Sequence, residues 1–308
     1  MSGPVIRIGA QAKLNLHLRV LAREDSGFHS LETIFHRIDL SDELTITITS
    51  GERSIDVVGA DAGDAESNLA YRAATAYSKH CGWPRGFRIE LTKRIPIGAG
   101  LGGGSADAAA VLRALNSVSP NRIGSPGILA IAASLGSDVP FLASQSVMAL
   151  AWGRGERMIS LPPLPRCDIL LMTPSFSVST KDAYAWLDED RARQRESDAM
   201  MTEGRSAIGR DTETTLLDPV SLSSWGLIAR FARNDFEAPV AARHPELLSH
   251  LDRLRKSRAI LARMTGSGST IFGVLDTPPN YAKVPEEQRE RVTTTRTSID
   301  VVQPVRVD

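Results

Sequence analysis

Apolar and polar positions alternate from the start of the chain. Residues 5–21 read as strand with a break at Gln11-Ala12, after which Leu14, Leu16 and Leu18 alternate with Asn15, His17 and Arg19. Thr and Ile alternate from Leu44 to Ser50, as in a half-buried strand, and 54–58 is the expected partner. The period then lengthens: over 67–81, Leu69, Ala73 and Ala76 recur at helical spacing, with Ser67 or Asn68 as candidate N-cap. Phe87 to Leu91 is a short alternating strand, followed by a glycine-rich loop and an Ala-, Val- and Leu-rich helix from Ser105 to about Ser117. Pro126, at an N1-like position, opens a helix over 125–135. Strand patterns at 145–152 and 168–172 lie on either side of the Arg154-Gly155 turn.

Residues 188–214 are rich in Arg, Asp and Glu with few apolar anchors, which predicts a long surface loop or mobile helix and the internal piece best suited to disorder. Helical patterns return at 215–233 and 246–257, and a strand, turn, strand pattern surrounds Gly266-Ser267-Gly268. In the charged tail from Pro278, only the run around Val301-Val302 reads as strand. Pro162, Pro163 and Pro165 mark the natural boundary, giving an N-terminal domain, 1–160, and a C-terminal domain, 161–308, with the polar stretch and an unassigned tail.

Composition narrows the classes. The 308 residues carry 36 basic and 36 acidic side chains, and 42% are hydrophobic, an ordinary globular balance. Zero net charge argues against duplex nucleic acid or an anionic membrane as partner. Cys81 and Cys167 lie far apart and outside any Cys-x-x-Cys pattern, which removes a disulfide framework and a zinc ribbon. The start of the chain lacks the apolar core of a signal peptide, and no apolar run approaches a membrane span, so a soluble cytoplasmic protein is expected, as monomer or homodimer. Lys is scarce beside Arg, so each Lys deserves weighing.

Between the 87–91 strand and the helix that follows, Lys93 to Asp107 holds five glycines: 98, 100, 102, 103 and 104. Glycine admits positive φ and has no Cβ, so several backbone N–H groups can converge on one anion, and the helix start adds its free N–H groups and dipole. That describes a triphosphate site; the bland alternative is a flexible linker, which seldom sits between a strand and an Ala-rich helix. A Walker loop is excluded because no Lys follows the glycines. A dinucleotide fold would place an acidic residue about 20 positions further on, and Ser117 to Asn121 has none.

The run Pro96-x-x-x-Gly100-Leu101-Gly102-Gly103-Gly104-Ser105-Ala106-Asp107 resembles the second motif of the GHMP kinases, named for galactose, homoserine, mevalonate and phosphomevalonate. Ala12-Lys13-Leu14-Asn15-Leu16 resembles their first motif and Met264-Thr265-Gly266-Ser267-Gly268-Ser269-Thr270 their third, in the same order. Finer matches are similar to the branch acting on a cytidine diphosphate-linked methylerythritol: Gly27-Phe28-His29, Leu135-Gly136-Ser137-Asp138-Val139-Pro140-Phe141, and Val178-Ser179-Thr180 through Tyr184. The resemblance runs from about residue 5 to 275. It implies an α+β, two-domain GHMP kinase fold, its N-terminal part like ribosomal protein S5 domain 2 and its C-terminal part ferredoxin-like. It also implies transfer of the ATP γ-phosphate, with Mg²⁺, to the 2-hydroxyl of the erythritol unit in isoprenoid precursor synthesis. Rivals are a GHMP kinase for homoserine or a mevalonate-type acid, which would favour a compact basic pocket, and a non-catalytic RNA binder on the ribosomal-protein-like fold, which should show a basic face.

By this resemblance Asp138 is the catalytic aspartate; as plain structure it would be a turn residue after a helix. Lys13 sits in an apolar stretch, where a buried ammonium needs a partner, so it is expected near Asp138, orienting the substrate hydroxyl; a snorkelling surface Lys is the alternative. Asn15, two positions on, shares its strand face and is either a substrate ligand or structural. Phe28 and Tyr184 hold the positions of two aromatics that stack on cytosine, with Phe28 where Tyr is common, and His29 would read the base edge. Thr180 would cap the helix bearing Tyr184 or touch substrate. Asn68 resembles the strip approaching adenine or ribose, and Pro96, Gly98, Gly100, Leu101, Gly102, Gly103, Gly104 and Ser105 make up the nucleotide loop. Ser105 could donate to a phosphate, ligate Mg²⁺, or serve as an N-cap. One departure is the run Ser144-Gln145-Ser146, where the family usually has a glycine-containing turn, which puts substrate-diphosphate contacts there in doubt.

Overall fold

The computed structural model describes residues 3–23, 27–59, 64–202, 220–277 and 292–307. Its N-terminal layer is a seven-stranded sheet built from β1 (Val5–Arg23), β2 (His29–Thr49), β3 (Arg53–Val58), β4 (Gly86–Thr92), β5 (Met148–Gly153), β6 (Arg157–Leu161) and β11 (Val305–Arg306). The path runs β11-β1-β2-β4-β3, with β5 and β6 added along the first half of β2. Four helices cover it: α1 (Leu69–Cys81), α2 (Gly103–Val118), α3 (Ser125–Leu135) and α4 (Val139–Ala143). In α2 every side chain from Ala106 to Leu115 is buried, because its alanines let it pass closely between sheet and neighbouring helices.

The second layer is a four-stranded antiparallel sheet of β7 (Asp168–Met172), β8 (Leu261–Met264), β9 (Ile271–Leu275) and β10 (Val292–Arg296). Its order, β10-β7-β9-β8, is fourth, first, third, second in chain order, as in a ferredoxin-like sheet. The remaining helices are α5 (Thr180–Thr202), α6 (Trp225–Phe231), α7 (Glu237–Arg243) and α8 (Glu246–Lys256). A smaller core joins Leu170, Ala183, Val240 and Leu251 to Leu18 and Val20 at the end of β1, so β1 contributes to both layers.

Several local expectations are corrected. The Gln11-Ala12 break is a bulge inside β1, where the register against β2 shifts between Gln11 and Lys13. Segment 54–58 pairs with β4 in parallel rather than with β2, whose edge β4 already occupies. The polar stretch from 188 continues as α5 to Thr202; the rest of 188–214 lies outside the described residues. Of the helix expected over 215–233, residues 215–219 do too, while 220–224 are turn and α6 begins only at Trp225 behind its N-cap Ser224. Val301-Val302 is not strand; the tail instead supplies β10 and β11 around it. Between those strands it is tied to the bulge: Gln11 Nε2 donates to Ser298 Oγ (2.9 Å) and the Asp300 carbonyl (3.1 Å), and Gln11 Oε1 accepts from Val302 N (2.9 Å). Cys81 and Cys167 are both free. No described helix is long and apolar enough to cross a membrane.

His36 on β2 is fully buried, and its Nδ1 donates to the Arg37 carbonyl at 2.7 Å, which leaves Nε2 bare and the ring neutral. Burial lowers its pKa from 6.5 to about 4. The unfolded chain therefore binds the extra proton first as pH falls, and stability present above pH 6.5 is lost progressively down to about pH 4. The His36→Asn variant should show a shallower decline of unfolding free energy, measured by denaturant titration at each pH, over that window, the difference in slope reaching about 1.4 kcal/mol per pH unit; matching slopes for both proteins would contradict it.

Candidate active site

A single cleft of about 1320 Å³ opens where the glycine loop, the far half of β1, the start of β2, the turn before α4 and the N-terminus of α5 meet. It exceeds the roughly 300–1,000 Å³ of a one-ligand pocket, which leaves room for two substrates side by side.

At its centre stands Lys13, 2% exposed. An ammonium has three N–H donors, and three acceptors surround this one: Asn15 Oδ1 at 2.6 Å, the Gly100 carbonyl at 3.0 Å and Asp138 Oδ2 at 3.3 Å. The Phe35 ring lies beneath, 5.7 Å from Nζ. Asp138 occupies the N-cap position of α4 but makes no side-chain capping bond, and its side chain is 30% exposed, so the carboxylate is turned to the cleft. Asn15 is held at both ends, Oδ1 by Lys13 and Nδ2 by Thr33 Oγ1 (2.8 Å), which makes it the part that aims Lys13.

The loop is shaped by positive-φ glycines and pressed from two sides. Gly102 has φ 71°, and a Cβ there would crowd Lys13 Cε at 3.0 Å and touch Asp138 Oδ2 at 3.5 Å, besides straining the left-handed backbone. Gly100 has φ 77°, and its Cβ would fall 2.2 Å from the Thr265 carbonyl, so the second glycine turn, Gly266-Ser267-Gly268, packs directly on the first. Helix α2 starts at Gly103, not Ser105, with Gly102 as N-cap. Ser105 is thus its third residue rather than a cap. Ala106 N makes the first helical bond, to the Gly102 carbonyl, and the N–H groups of Gly103, Gly104 and Ser105 precede it at the cleft wall.

Beneath the loop, Lys93 Nζ donates to Asp42 Oδ2 (2.5 Å) and Asp107 Oδ2 (2.7 Å), and Asp42 Oδ1 accepts from Ile95 N (2.8 Å). This buried group ties the strand before the loop to the helix after it. Burial, opposed by the Lys93 charge and reinforced by Asp42, pushes the Asp107 carboxyl up to about 7. Burial works against the Lys93 ammonium, yet the two carboxylates lift it above its ordinary value.

The aromatic residues line the other end. Tyr184 stacks on His29 with centroids 4.7 Å apart and 20° between planes, and His29 Nε2 meets Asp188 Oδ1 at 2.9 Å. Burial and then the Asp138 charge push the Tyr184 phenol up to about 12. Phe28 is 57% exposed, and the Arg154 guanidinium lies 4.0 Å from its ring centroid. Ring against ring, Tyr184 therefore meets His29 rather than Phe28.

Every residue singled out from the sequence lines this cleft except Leu101. Leu101 is 1% exposed in the core, and its carbonyl accepts from Lys13 N at 3.1 Å. Asn68 lines the cleft and caps α1 through Ala70 N (2.9 Å). Thr180 begins α5 but does not cap it: Ser179 Oγ accepts from Asp182 N (3.0 Å), while Thr180 Oγ1 meets Ser267 Oγ at 3.2 Å. Sequence reasoning missed Asp42, Lys93, Asp188 and Arg154. The scarcity of Lys was the available signal for Lys93; nothing local marks Asp42, 51 positions away from it.

Comparison with known proteins identifies the relatives of this chain. The GHMP kinases N terminal domain matches residues 68–146 and the GHMP kinases C terminal domain residues 220–290. The 4-diphosphocytidyl-2-C-methyl-D-erythritol kinase of Moorella thermoacetica is 38% identical over 271 residues, covering 88% of this chain and 90% of the relative. That of Pelotomaculum thermopropionicum is 35% identical over 298 residues, covering 95% and 98%. A crystal structure of 4-(cytidine 5'-diphospho)-2C-methyl-D-erythritol kinase superposes with TM-score 0.71 at 32% identity, covering 94% of this chain and 98% of that one. A homoserine kinase from Cytophaga hutchinsonii has TM-score 0.67 at 19% identity, covering 99% and 98%, a likeness of fold alone. Fold and motif order thus define an ATP-using small-molecule kinase of the GHMP class. Within that class, the chain belongs to the 4-diphosphocytidyl-2-C-methyl-D-erythritol kinase family.

Gly100→Ala should weaken ATP binding by well over tenfold, because a Cβ 2.2 Å from a backbone carbonyl forces the two glycine turns apart. Titration calorimetry with a non-hydrolysable ATP analogue measures it; unchanged affinity would mean that the loop does not hold the nucleotide.

Proposed function

We propose that this chain transfers the γ-phosphate of ATP to the 2-hydroxyl of 4-diphosphocytidyl-2-C-methyl-D-erythritol, a step of non-mevalonate isoprenoid precursor synthesis. The observation that carries the reading is the Lys13–Asp138 pair, 3.3 Å apart, beside a glycine loop that presents backbone N–H groups to the same cleft. In this reading the first domain, 1–160, supplies the loop and the pair, and the second, 161–308, adds Thr180 and Tyr184 to the wall.

The acceptor hydroxyl donates its hydrogen bond to Asp138. As its oxygen attacks the γ-phosphorus, the proton passes to that carboxylate and the bond to the bridging oxygen of ADP breaks. Lys13, 3.3 Å from Asp138, places positive charge beside that carboxylate and the reacting oxygens. The N–H groups of residues 103–105 and the α2 dipole receive the phosphate oxygens. The exposed Phe28 ring offers an apolar face to cytosine, while Tyr184 and His29, stacked on each other, line the wall of the same cleft.

Among the described residues no group of three His, Cys, Asp or Glu could hold a metal ion. That fits Mg²⁺, which binds through one or two protein oxygens plus substrate phosphates rather than a protein cage. Ser105, in the first turn of α2, and Asp107, whose buried Oδ1 has no hydrogen-bond partner, are the oxygens that would hold it. When bound, it neutralises charge on the β- and γ-phosphates.

A coupled ADP-release assay with the cytidylyl substrate beside homoserine and mevalonate tests the reading: turnover is expected with the first alone, and comparable kcat/KM with either other alcohol overturns it. Asp138→Ala should cut kcat by roughly 10²–10⁴ while ATP still binds; wild-type turnover would remove Asp138 as base. Phe28→Ala should raise KM for the cytidylyl substrate by the equivalent of about 1–3 kcal/mol of lost stacking, with KM for ATP little changed. Equal rises in both would mean that Phe28 does not bind the base.

A further inference from the structure

Arg37 lies on β2, 1% exposed, in the layer behind the catalytic pair. Among the described residues no carboxylate pairs with it, and its donors go to backbone carbonyls of one short stretch. Nε donates to Ser146 O at 2.9 Å, and Nη2 is shared among Phe141 O (3.0 Å), Leu142 O (2.8 Å) and Ser144 O (3.1 Å). Its own backbone N donates to Val147 O at 2.9 Å.

That stretch is the end of α4 and the turn that follows. Helix α4 has five residues, all buried, so the carbonyls at its C-terminal end cannot turn to water. Five residues are too few for it to persist on its own hydrogen bonds. The turn Ser144-Gln145-Ser146 contains no positive-φ residue, and its carbonyls at Ser144 and Ser146 face inward to the guanidinium. The residue at the other end of α4 is Asp138.

A second line of contact reaches the other half of the pair. The Arg37 guanidinium carbon lies 5.1 Å from the Phe141 ring centroid, Phe141 stacks on Phe35 at 4.9 Å and 17°, and Phe35 lies beneath Lys13 Nζ. Arg37 therefore clamps the helix that carries Asp138 and backs the ring that supports Lys13.

We propose that Arg37 is a positioning residue for phosphoryl transfer: by binding the carbonyls at the far end of α4 it sets the position of Asp138 relative to Lys13. The role rests on Asp138 being the base. It needs a charged guanidinium, and although burial and the Arg113 charge lower its pKa to about 9, Arg37 stays protonated at neutral pH.

The test is steady-state kinetics of full-length Arg37→Gln and Arg37→Lys, with thermal melts alongside. Displacing a reacting group by about 1 Å costs roughly 10²-fold in rate. Arg37→Gln should therefore lose kcat on that scale, with KM for ATP and for the cytidylyl substrate within about twofold of wild type. Arg37→Lys, which keeps the charge and can reach part of the carbonyl set, should recover some of that kcat. If Arg37→Gln does not fold, Arg37→Lys decides, with a loss of kcat at unchanged KM still expected. A cooperatively melting variant with wild-type kcat overturns the proposal, as does parallel damage to kcat and both KM values, the sign of a generally disturbed cleft. Failure here is separable from failure of the base assignment: an inactive Asp138→Ala beside a fully active Arg37→Lys removes only the role of Arg37.

Discussion

A lysine ammonium enclosed by protein is the constraint from which the rest of the site follows. Lys13 is 2% exposed, and an ion taken out of water on that scale costs several kcal/mol unless its hydrogens are satisfied. Its three acceptors come from three places in the chain: Asn15 on the same strand, the Gly100 carbonyl of the phosphate loop, and the Asp138 carboxylate before α4. Satisfying the ammonium therefore brings loop, Asp138 and strand together. The close approach is eased because residue 102 is glycine, at φ 71°; a Cβ there would crowd Lys13 Cε at 3.0 Å. The same contacts that make the burial tolerable also assemble the chemistry.

The irregularity of β1 brings Lys13 to where Asn15 aims it. A regular strand would run its register unbroken past β2, but the register shifts at Gln11/Lys13 and again at Asn15/His17. Each bulge twists the strand and redirects a side chain. The first is held from behind by the chain's last residues, which bond both ends of the Gln11 amide before β11 joins the edge of β1. The C-terminal segment is thus part of the scaffold of the N-terminal sheet. Distant parts of the sequence, about 290 residues apart, fix one another.

Legibility in the sequence followed the range of the interactions. The helix at 125–135 and the strand at 168–172 were readable because period and capping are local. The phosphate loop was readable because five glycines between a strand and a helix have few other uses. Pairing was less so. Nothing within 54–58 says that its partner is β4 in parallel, since that depends on β2 being already taken. The caps at Ser179 and Gly102 were missed because Thr180 and Ser105 are equally good capping residues by type, and only backbone geometry separates them. Leu101 illustrates the opposite error: it lies within the motif, but its side chain faces the core while the neighbouring glycines face the cleft.

The charge arithmetic also has a structural answer. A chain with no net charge holds a cleft shaped for a triphosphate and a second diphosphate-bearing molecule, a demand that many proteins meet with clustered cations. Here the two most buried lysines among the described residues are already committed, Lys13 to Asp138 and Lys93 to Asp42 and Asp107. Their charge is balanced within the protein, so they shape the site more than they attract anions to it. In the proposed reading the attraction falls to uncharged donors, the N–H groups of residues 103–105 and the α2 dipole, whose strength depends on exclusion of water and on a fixed loop rather than on long-range field. Such a site recognises phosphate by geometry at contact distance. That is why the glycines, which set the geometry, outnumber the lysines in the motif, and why the groups buried beneath the loop serve to hold it still.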